Sequence, residues 1–183
     1  MKRAIVAPAV LAPSALAELK DWLGITRAGD DAQLTTLLRA ALDACEDFTG
    51  LMPLQQSCSE VLRASGGWEV LATGPVQAIT AVTGLVADGS SFAFAASAYQ
   101  IELDADGGGR VRVAMPGAAG RVLVNFVAGL SADWPSLPDQ LRHGMMRLAA
   151  QQYHQREDDG AKAMTPPAAV AALWRPWRKL RII

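Results

Sequence analysis

Two histidines are the residues in this sequence best suited to metal binding, and their spacing decides whether they can act together. His143 and His154 are eleven residues apart in a stretch that is predicted to be helical. At ~100° per residue they fall on nearly the same helix face, but a rise of ~1.5 Å per residue separates them by roughly 16 Å. Because metal–nitrogen bonds are ~2 Å long, one ion cannot bridge that gap. We therefore expect polar surface or interface histidines and no metal site.

Two other motifs could suggest phosphate binding or hydrolysis. Gly107–Arg110 follows a predicted strand, but it lacks the GxxxxGK[ST] and GxGxxG spacings and leads into another strand, which indicates a hairpin turn. The carboxylates Glu157–Asp159 are consecutive, so they point apart instead of facing each other across a cleft. The chain has no G-x-S-x-G motif. We predict a protein that is not an enzyme and holds no cofactor.

The C-terminal ten residues combine two tryptophans, four basic residues and two terminal isoleucines. Tryptophan and arginine are favoured in protein interfaces, and terminal isoleucines gain free energy where they are buried away from water. Two alternatives stay open: the tryptophans could pack on the protein's own helices, or the bases could bind DNA weakly and in a salt-sensitive manner. We predict a partner-docking segment formed by Trp174, Arg175, Trp177, Arg178, Lys179, Leu180, Arg181, Ile182 and Ile183.

The distribution of charge fits a docking role. The chain of 183 residues is 51% hydrophobic with a net charge of −1, which indicates a folded protein without an overall basic character. From Trp134 onward there are eight bases and four acids, so this part carries +4 and the remainder −5. An acidic body with a basic end suits docking on a partner or on another copy. No apolar run approaches the ~20 residues that span a membrane, and Cys45 and Cys58 are expected to be buried free thiols.

The N-terminal part is predicted to be helical after an extended arm. Ser14 can cap a first helix that runs to about Leu23. A second, strongly amphipathic helix begins at Asp30 or Asp31 and ends at Gly50, because its apolar residues follow the i, i+3, i+4, i+7 rule. After these two helices, the apolar residues no longer follow helical spacing.

The middle of the chain, from residue 55 to residue 127, has the pattern of short strands. Glycine, proline and aspartate clusters at residues 66–67, 88–89, 106–109 and 116–117 indicate turns between them. Several short strands at this spacing predict a small antiparallel sheet or sandwich. The predicted strands are Ser57–Arg63, Glu69–Leu71, Ile79–Val86, Tyr99–Leu103, Arg110–Val113 and Val122–Val127.

The helical pattern returns after Pro138. A third helix is expected from Asp139 to about Glu157, followed by a polar loop at residues 158–163. Thr165 can cap a last helix with Pro166 at its first position. Pro176 removes a backbone donor and disfavours helix at the residue before it, so we expect a kink or a stop there, followed by a semi-independent tail.

Three segments together resemble one protein family. Residues 16–50 read LAELKDWLGI…DDAQLTTLLRAALDACEDFTG, residues 134–157 read WPSLPDQLRHGMMRLAAQQYHQRE, and residues 166–182 read PPAAVAALWRPWRKLRI. The paired-Asp opening and T-G ending of the second helix, the LP…R entry and Y-x-x-R-E ending of the third, and the closing L-x-x-x-R occur in this order. The pattern resembles the head–tail connector (adaptor) proteins of long-tailed phages and of phage-derived gene transfer agents. It covers the helical flanks, and the β-rich middle looks like the insertion of one branch of that family.

The resemblance implies an α+β fold, in which N- and C-terminal helices form a helical core that carries an inserted, small antiparallel β-rich subdomain. It also implies a homo-oligomeric ring, usually of twelve subunits, beneath the portal protein. Such a ring extends the DNA channel, lets DNA pass without sequence-specific binding, and offers a platform to a downstream neck or tail protein. The C-terminal segment would reach the portal. The expected location is the neck of a virion or phage-like particle, reached from the host cytoplasm. The expected domains are 1–53 (arm and two helices), 54–130 (β-rich insertion), 131–173 (C-terminal helices) and 174–183 (docking tail).

Overall fold

The fold combines helices with two antiparallel sheets, which confirms the α+β class. A computed structural model describes residues 3–155 and 166–179 of the chain. It divides into two compact units. One contains residues 10–54 together with the chain from residue 131 onward, and the other contains the residues up to 9 together with 55–130. We call them the helical unit and the β unit and describe each by itself.

Four α-helices build the described part of the helical unit. They are α1 (Pro13–Leu23), α2 (Asp31–Thr49), α3 (Asp139–His154) and α4 (Ala168–Trp174). Helix α3 packs against each of the other three, because its apolar stripe includes several small or unbranched residues that let neighbours approach. The core of this unit includes Ala15, Leu19, Leu34, Leu38, Ala41, Cys45, Met52, Trp134, Leu141, Met145, Met146, Leu148, Ala149, Val170 and Trp174.

The ends of the helices follow their local sequence, with two corrections to the predicted boundaries. The first helix begins at Pro13 after Ala12, so Ser14 is inside it and does not cap it. The last helix begins at Ala168 after Pro167, so the prediction that Pro166 stands at its first position is wrong. In both cases a proline fixes the backbone where the first turn starts. Gly50 ends α2 with a φ of 73°, a left-handed conformation that glycine adopts without strain.

A five-stranded antiparallel sheet dominates the β unit. Its order is β1-β2-β8-β4-β5, so the long strands β2, β8 and β4 lie in the centre. One face of β8 is buried, since alternate residues from Val122 to Ala128 are inaccessible. The strands are β1 (Ala4–Ala7), β2 (Gln56–Arg63), β4 (Val76–Val86), β5 (Ser91–Ala93) and β8 (Ala119–Ala128).

Two strands of this sheet were not predicted. The N-terminal arm is extended, as expected, but residues 4–7 pair with β2 as an edge strand. Residues 91–93 pair with β4 at the other edge. Both strands are short and each of their residues is exposed, so neither shows the alternation of buried apolar and exposed polar residues on which strand prediction depends.

A second, three-stranded sheet completes the β unit. Its strands are β3 (Trp68–Val70), β6 (Gln100–Leu103) and β7 (Gly109–Arg112), in the order β3-β7-β6. The glycine run before β7 forms the predicted hairpin turn: the amide of Gly107 donates to the carbonyl of Asp104 at 2.9 Å. Gly107 has a φ of 75°, which explains why glycine stands there.

Glu60 is the one carboxylate among the buried residues of the described chain, and it braces the β unit. It is 1% exposed on the inner face of β2. Its carboxylate accepts hydrogen bonds from the amides of Ala72 and Thr73, both at 2.9 Å, and from the Thr73 hydroxyl. A buried carboxylate must be satisfied in this way, because leaving it without donors costs several kcal/mol. The brace ties β2 to the connection between β3 and β4.

Candidate partner interface

The C-terminal segment continues directly from α4 and changes conformation at the predicted position. Helix α4 ends at Trp174, and residues Arg175–Trp177 form a single turn of 3-10 helix. Pro176 cannot donate a backbone hydrogen bond, so the α-helical ladder cannot continue through it. The expected stop at Pro176 is confirmed. Residues Trp177 to Lys179 then contact the helical unit, so the described part of the segment is not the semi-independent tail that was predicted.

Trp174 anchors the segment in the core of the helical unit. Its side chain is 0% exposed, and its indole Nε1 donates to the carbonyl of Leu141 at 3.3 Å. Its ring centroid lies 6.0 Å from that of Phe48 in α2. Gly144 in α3 provides the space for the indole, since a Cβ there would lie 2.8 Å from Trp174 Cε2. Trp174 therefore packs on the protein's own helices, which was one of the two alternatives left open by the sequence.

Trp177 and Arg178 hold the next turn against the surface of the same unit. The half-buried indole of Trp177 donates from Nε1 to the Gln140 side-chain carbonyl at 3.0 Å. The Arg178 guanidinium carbon lies 5.5 Å from the centre of the Phe48 ring, within range of a cation–π interaction. Phe48 therefore contacts the segment through two residues, Trp174 and Arg178.

The backbone of Lys179 closes the contact at the end of α2. Its amide donates to the carbonyl of Thr49 at 2.7 Å, which is one of the carbonyls that a helix leaves without an internal partner. The last turn of α2 contains Glu46 and Asp47 and no basic residue. Negative charge at a helix C-terminus is unfavourable by about 0.3–1 kcal/mol per residue. Arg178 and Lys179 supply positive charge at this end of α2.

The structure brings together the described members of the predicted docking segment but gives them different roles. Trp174 is wholly buried, and Trp177 is half-buried. Arg175, Arg178 and Lys179 have exposed side chains. In this conformation Trp174 is available to the helical unit and not to a partner, so it serves as the anchor of the segment. The remaining predicted residues, Leu180, Arg181, Ile182 and Ile183, lie outside the described residues, as do Glu157–Asp159.

The two histidines contact aromatic rings that lie outside this segment. The His143 ring meets the edge of the Trp22 ring at a centroid distance of 5.2 Å, and the His154 ring lies 5.9 Å from that of Tyr153. Within residues 3–155 and 166–179, no group of three or more His, Cys, Asp or Glu side chains is arranged to hold a metal ion. Over the same residues, no helix is long and apolar enough to cross a membrane.

Sequence reasoning missed the residues that receive the segment. Gly144 interrupts an otherwise good helix, and an isolated helical glycine signals a close approach by another group. Phe48 and Thr49 precede the glycine that ends α2, but nothing in their local pattern indicates a contact more than a hundred residues away. The acidic last turn of α2 was the other available signal, because a helix end without bases needs them from elsewhere.

Comparison with known proteins identifies the family. No protein-family model and no curated protein matches the chain. Among solved structures, a chain from the neck of an empty gene transfer agent particle, computed with C6 symmetry, is 30% identical with a TM-score of 0.77. A chain from the neck of the native particle, computed with C12 symmetry, is 32% identical with a TM-score of 0.74. A third, from the virion of the native particle, is 32% identical with a TM-score of 0.73.

The likeness extends over the whole chain. Each of the three matches covers 100% of this protein and 98% of the chain to which it is compared. It therefore includes the β-rich middle as well as the helical flanks that carry the sequence motifs. The protein belongs to the head–tail connector (adaptor) family of phages and gene transfer agents, as a structural component of the particle neck.

Proposed function

We propose that this protein is a head–tail adaptor subunit that forms a ring of twelve copies under the portal. The ring extends the DNA channel and links the capsid vertex to the neck and tail. The observation that supports this most directly is the full-length match to a chain from a neck computed with C12 symmetry. A ring subunit needs surfaces that complement one another and needs no catalytic group. The protein would occupy the host cytoplasm before assembly and the neck afterwards.

The two units have separate tasks in this proposal. The helices of the helical unit form the core of the ring. Residues 55–130 of the β unit are an insertion between α2 and α3, and the N-terminal strand β1 pairs with strand β2 of that insertion. The proposed domains are accordingly residues 1–53, 54–130 and 131–173, with the docking tail from 174 to 183. The contact of α3 with α1, α2 and α4 supports a helical core, because these helices bury a shared apolar stripe.

The C-terminal segment is the proposed portal-docking site, and its geometry suggests how it works. Trp174 fixes the segment internally, while Arg175 and Arg178 point to solvent and Trp177 exposes part of its ring. The last four residues follow directly after the Lys179–Thr49 hydrogen bond. A segment held in one direction loses less conformational entropy on binding than a free arm. A portal surface with acidic residues beside an apolar pocket would match Arg175, Arg178 and the isoleucines.

DNA binding by the tail is less well supported. Arg178 lies over Phe48, and the adjacent helix end contains Glu46 and Asp47, which weaken the positive potential there. Few bases remain for phosphates, and binding by so few contacts is weak and salt-sensitive. Passage of DNA through the channel requires no stable binding.

Truncation after Lys179 tests the docking role while every described residue of the segment is kept. It removes Leu180 to Ile183 and keeps Trp174, whose loss would destabilise the helical unit. We expect filled heads that fail to join tails, and purified protein with reduced portal binding. A matched control replaces exposed bases elsewhere, Arg39→Ala and Arg147→Ala, and should join tails normally. Normal head–tail joining by the truncated protein would rule out portal docking through these residues.

A further inference from the structure

We propose that neighbouring copies contact each other through the outer face of the three-stranded sheet, with α1 of the next copy as its partner. The inference rests on the ring of the proposed function and assigns one of its subunit interfaces. The sheet surface consists of Trp68, Val70, Glu102, Arg110 and Arg112, and we call it the Trp68 face. The partner surface consists of Asp21 and Trp22.

The strand register places all five residues of the Trp68 face on the same side of the sheet. Trp68 pairs with Arg112 across β3 and β7, and Val70 pairs with Arg110. Glu102 of β6 pairs with Arg110 from the other side. Residues that are paired or two apart in a sheet share a face. Val70 is 65% exposed and Trp68 is 39% exposed, so an edge strand presents an apolar pair to solvent beside two arginines.

The arginines of the Trp68 face are held in place before any partner arrives. The Arg110 guanidinium carbon lies 5.3 Å from the centre of the Trp68 ring, and its Nη2 pairs with the Glu102 carboxylate. Arg112 donates from Nε to the carbonyl of Gly66 at 3.1 Å. A surface whose long side chains are already ordered loses less entropy on binding. Tryptophan and arginine are also among the residues most enriched at energetically dominant interface positions.

The complementary surface is found on the same chain. At the C-terminal end of α1, Asp21 is exposed and Trp22 is 52% exposed, so an acid and an aromatic ring lie side by side. Residues 10–54 contain seven acids and three bases, which gives this part of the helical unit a charge of −4. The Trp68 face has two arginines and one glutamate. Opposite charges next to apolar rings match across the two surfaces, which favours a second copy as the occupant.

Ring symmetry requires this kind of pair. In a cyclic assembly with more than two subunits, each interface joins two different patches of the same chain, head to tail. A self-complementary patch would instead close a dimer. The Trp68 face and the α1 edge differ in charge and lie on different units, so each copy can donate one surface and accept the other.

Cysteine cross-linking in assembled particles tests the assignment. Val70→Cys combined with Asp21→Cys introduces two reactive thiols, while the native Cys45 and Cys58 are buried. A short bis-maleimide should give a ladder of covalent multimers longer than dimers, because every subunit forms two links. Each single variant should give none, and Met115→Cys with Asp21→Cys is the matched control, since Met115 is exposed but lies outside the Trp68 face.

Charge reversal gives a second, independent readout. Arg112→Glu and Asp21→Arg should each reduce ring incorporation in particles at least tenfold, and the double variant should recover most of it. Unchanged incorporation of both single variants, or a cross-linked monomer without a ladder, would overturn the inference. Particles whose wild-type necks lack this protein would instead refute the proposed function, so the two failures are distinguishable. Folding of every variant is checked by its thermal unfolding.

Discussion

The Trp174 ring, at the end of α4, lies against Gly144 of α3, in space that a side chain at position 144 would fill. A Cβ atom on Gly144 would lie 2.8 Å from Cε2 and 2.9 Å from Cδ1 of the Trp174 ring. The same indole donates to the carbonyl of Leu141, three residues earlier in α3. This pair determines where the C-terminal segment begins, because the segment starts from the buried tryptophan. The docking proposal therefore depends on a contact inside the protein.

Gly144→Ala should destabilise the protein although alanine is the better helix former. Replacing a helical glycine normally gains about 1 kcal/mol, but forcing a methyl group into a filled core costs about 1–3 kcal/mol. The difference is a net loss of up to about 2 kcal/mol in the free energy of unfolding, measured by urea denaturation. Gly29→Ala is the control, because a Cβ at Gly29 would meet no atom within 4 Å. The free energy of unfolding of this variant should not fall. Equal stabilisation by both substitutions would contradict the close contact.

Replacing each of the two tryptophans by alanine should lower the free energy of unfolding by very different amounts. Trp174→Ala removes a fully buried side chain and should cost about 3–5 kcal/mol. Trp177→Ala removes a half-buried ring and one hydrogen bond to Gln140, so we expect about 1–2 kcal/mol. Guanidinium unfolding of both variants gives the comparison. Similar losses at the two positions would mean that Trp174 is not the anchor.

Glu60→Gln tests the brace inside the β unit. The amide nitrogen of glutamine would face a backbone N–H that now donates to the carboxylate, leaving a buried donor without an acceptor. We expect a loss of about 1–3 kcal/mol in the free energy of unfolding. Glu69→Gln, on a less buried residue that accepts a hydrogen bond from Ser65, should change stability by less than about 0.5 kcal/mol. If Glu60→Gln left the free energy of unfolding unchanged, these hydrogen bonds would contribute little to stability.

Cys45 should make stability depend on alkaline pH. Burial raises the pKa of its thiol from about 9 to about 12. Between these values the unfolded chain has lost the thiol proton and the folded chain has kept it, so the folded state binds more protons. The free energy of unfolding therefore falls as pH rises through this window, by up to about 1.4 kcal/mol per pH unit from this thiol. Below about pH 9 the thiol is protonated in both states and adds no pH dependence.

The measurement is the unfolding free energy at about pH 8, below this window, and about pH 10.5, within it, for the wild type and Cys45→Ala. Between the two pH values, Cys45→Ala should lose less free energy of unfolding than the wild type, because it lacks the thiol and shares all other titrating groups. A thiol reagent should also react with Cys45 only after unfolding. Equal pH dependence in the two proteins would contradict the raised pKa.

The long elements of the fold followed from the sequence because each has a strong local pattern. Helix α2 was placed within a residue by its apolar spacing and by Gly50. The β-branched residues of the central strands indicated where they lie, although β4 and β8 each begin three residues before the predicted start. The short edge strands β1 and β5 were missed, since pairing with a neighbour defines them and their own residues are all exposed. Local sequence contains no information about such a neighbour.

The candidate site was predicted in part. The composition of the last ten residues indicated an interface segment, and Pro176 indicated where the helix stops. The sequence could not separate the roles of Trp174 and Trp177, because both have the same type and lie within one turn. Their difference comes from Gly144 and Phe48, which the fold brings to one of them from distant positions. Burial of this kind depends on tertiary packing and not on residue type.

The proposed adaptor ring is tested most directly by cryo-electron microscopy of assembled particles. The comparison is between particles made with the wild type and particles made with the protein truncated after Lys179. We predict a ring of this protein between portal and tail in the wild type, with residues 175–183 against the portal, and tailless filled heads for the truncation. A wild-type neck without this protein, or tailed particles in which its C-terminal segment contacts no portal residue, would contradict the account.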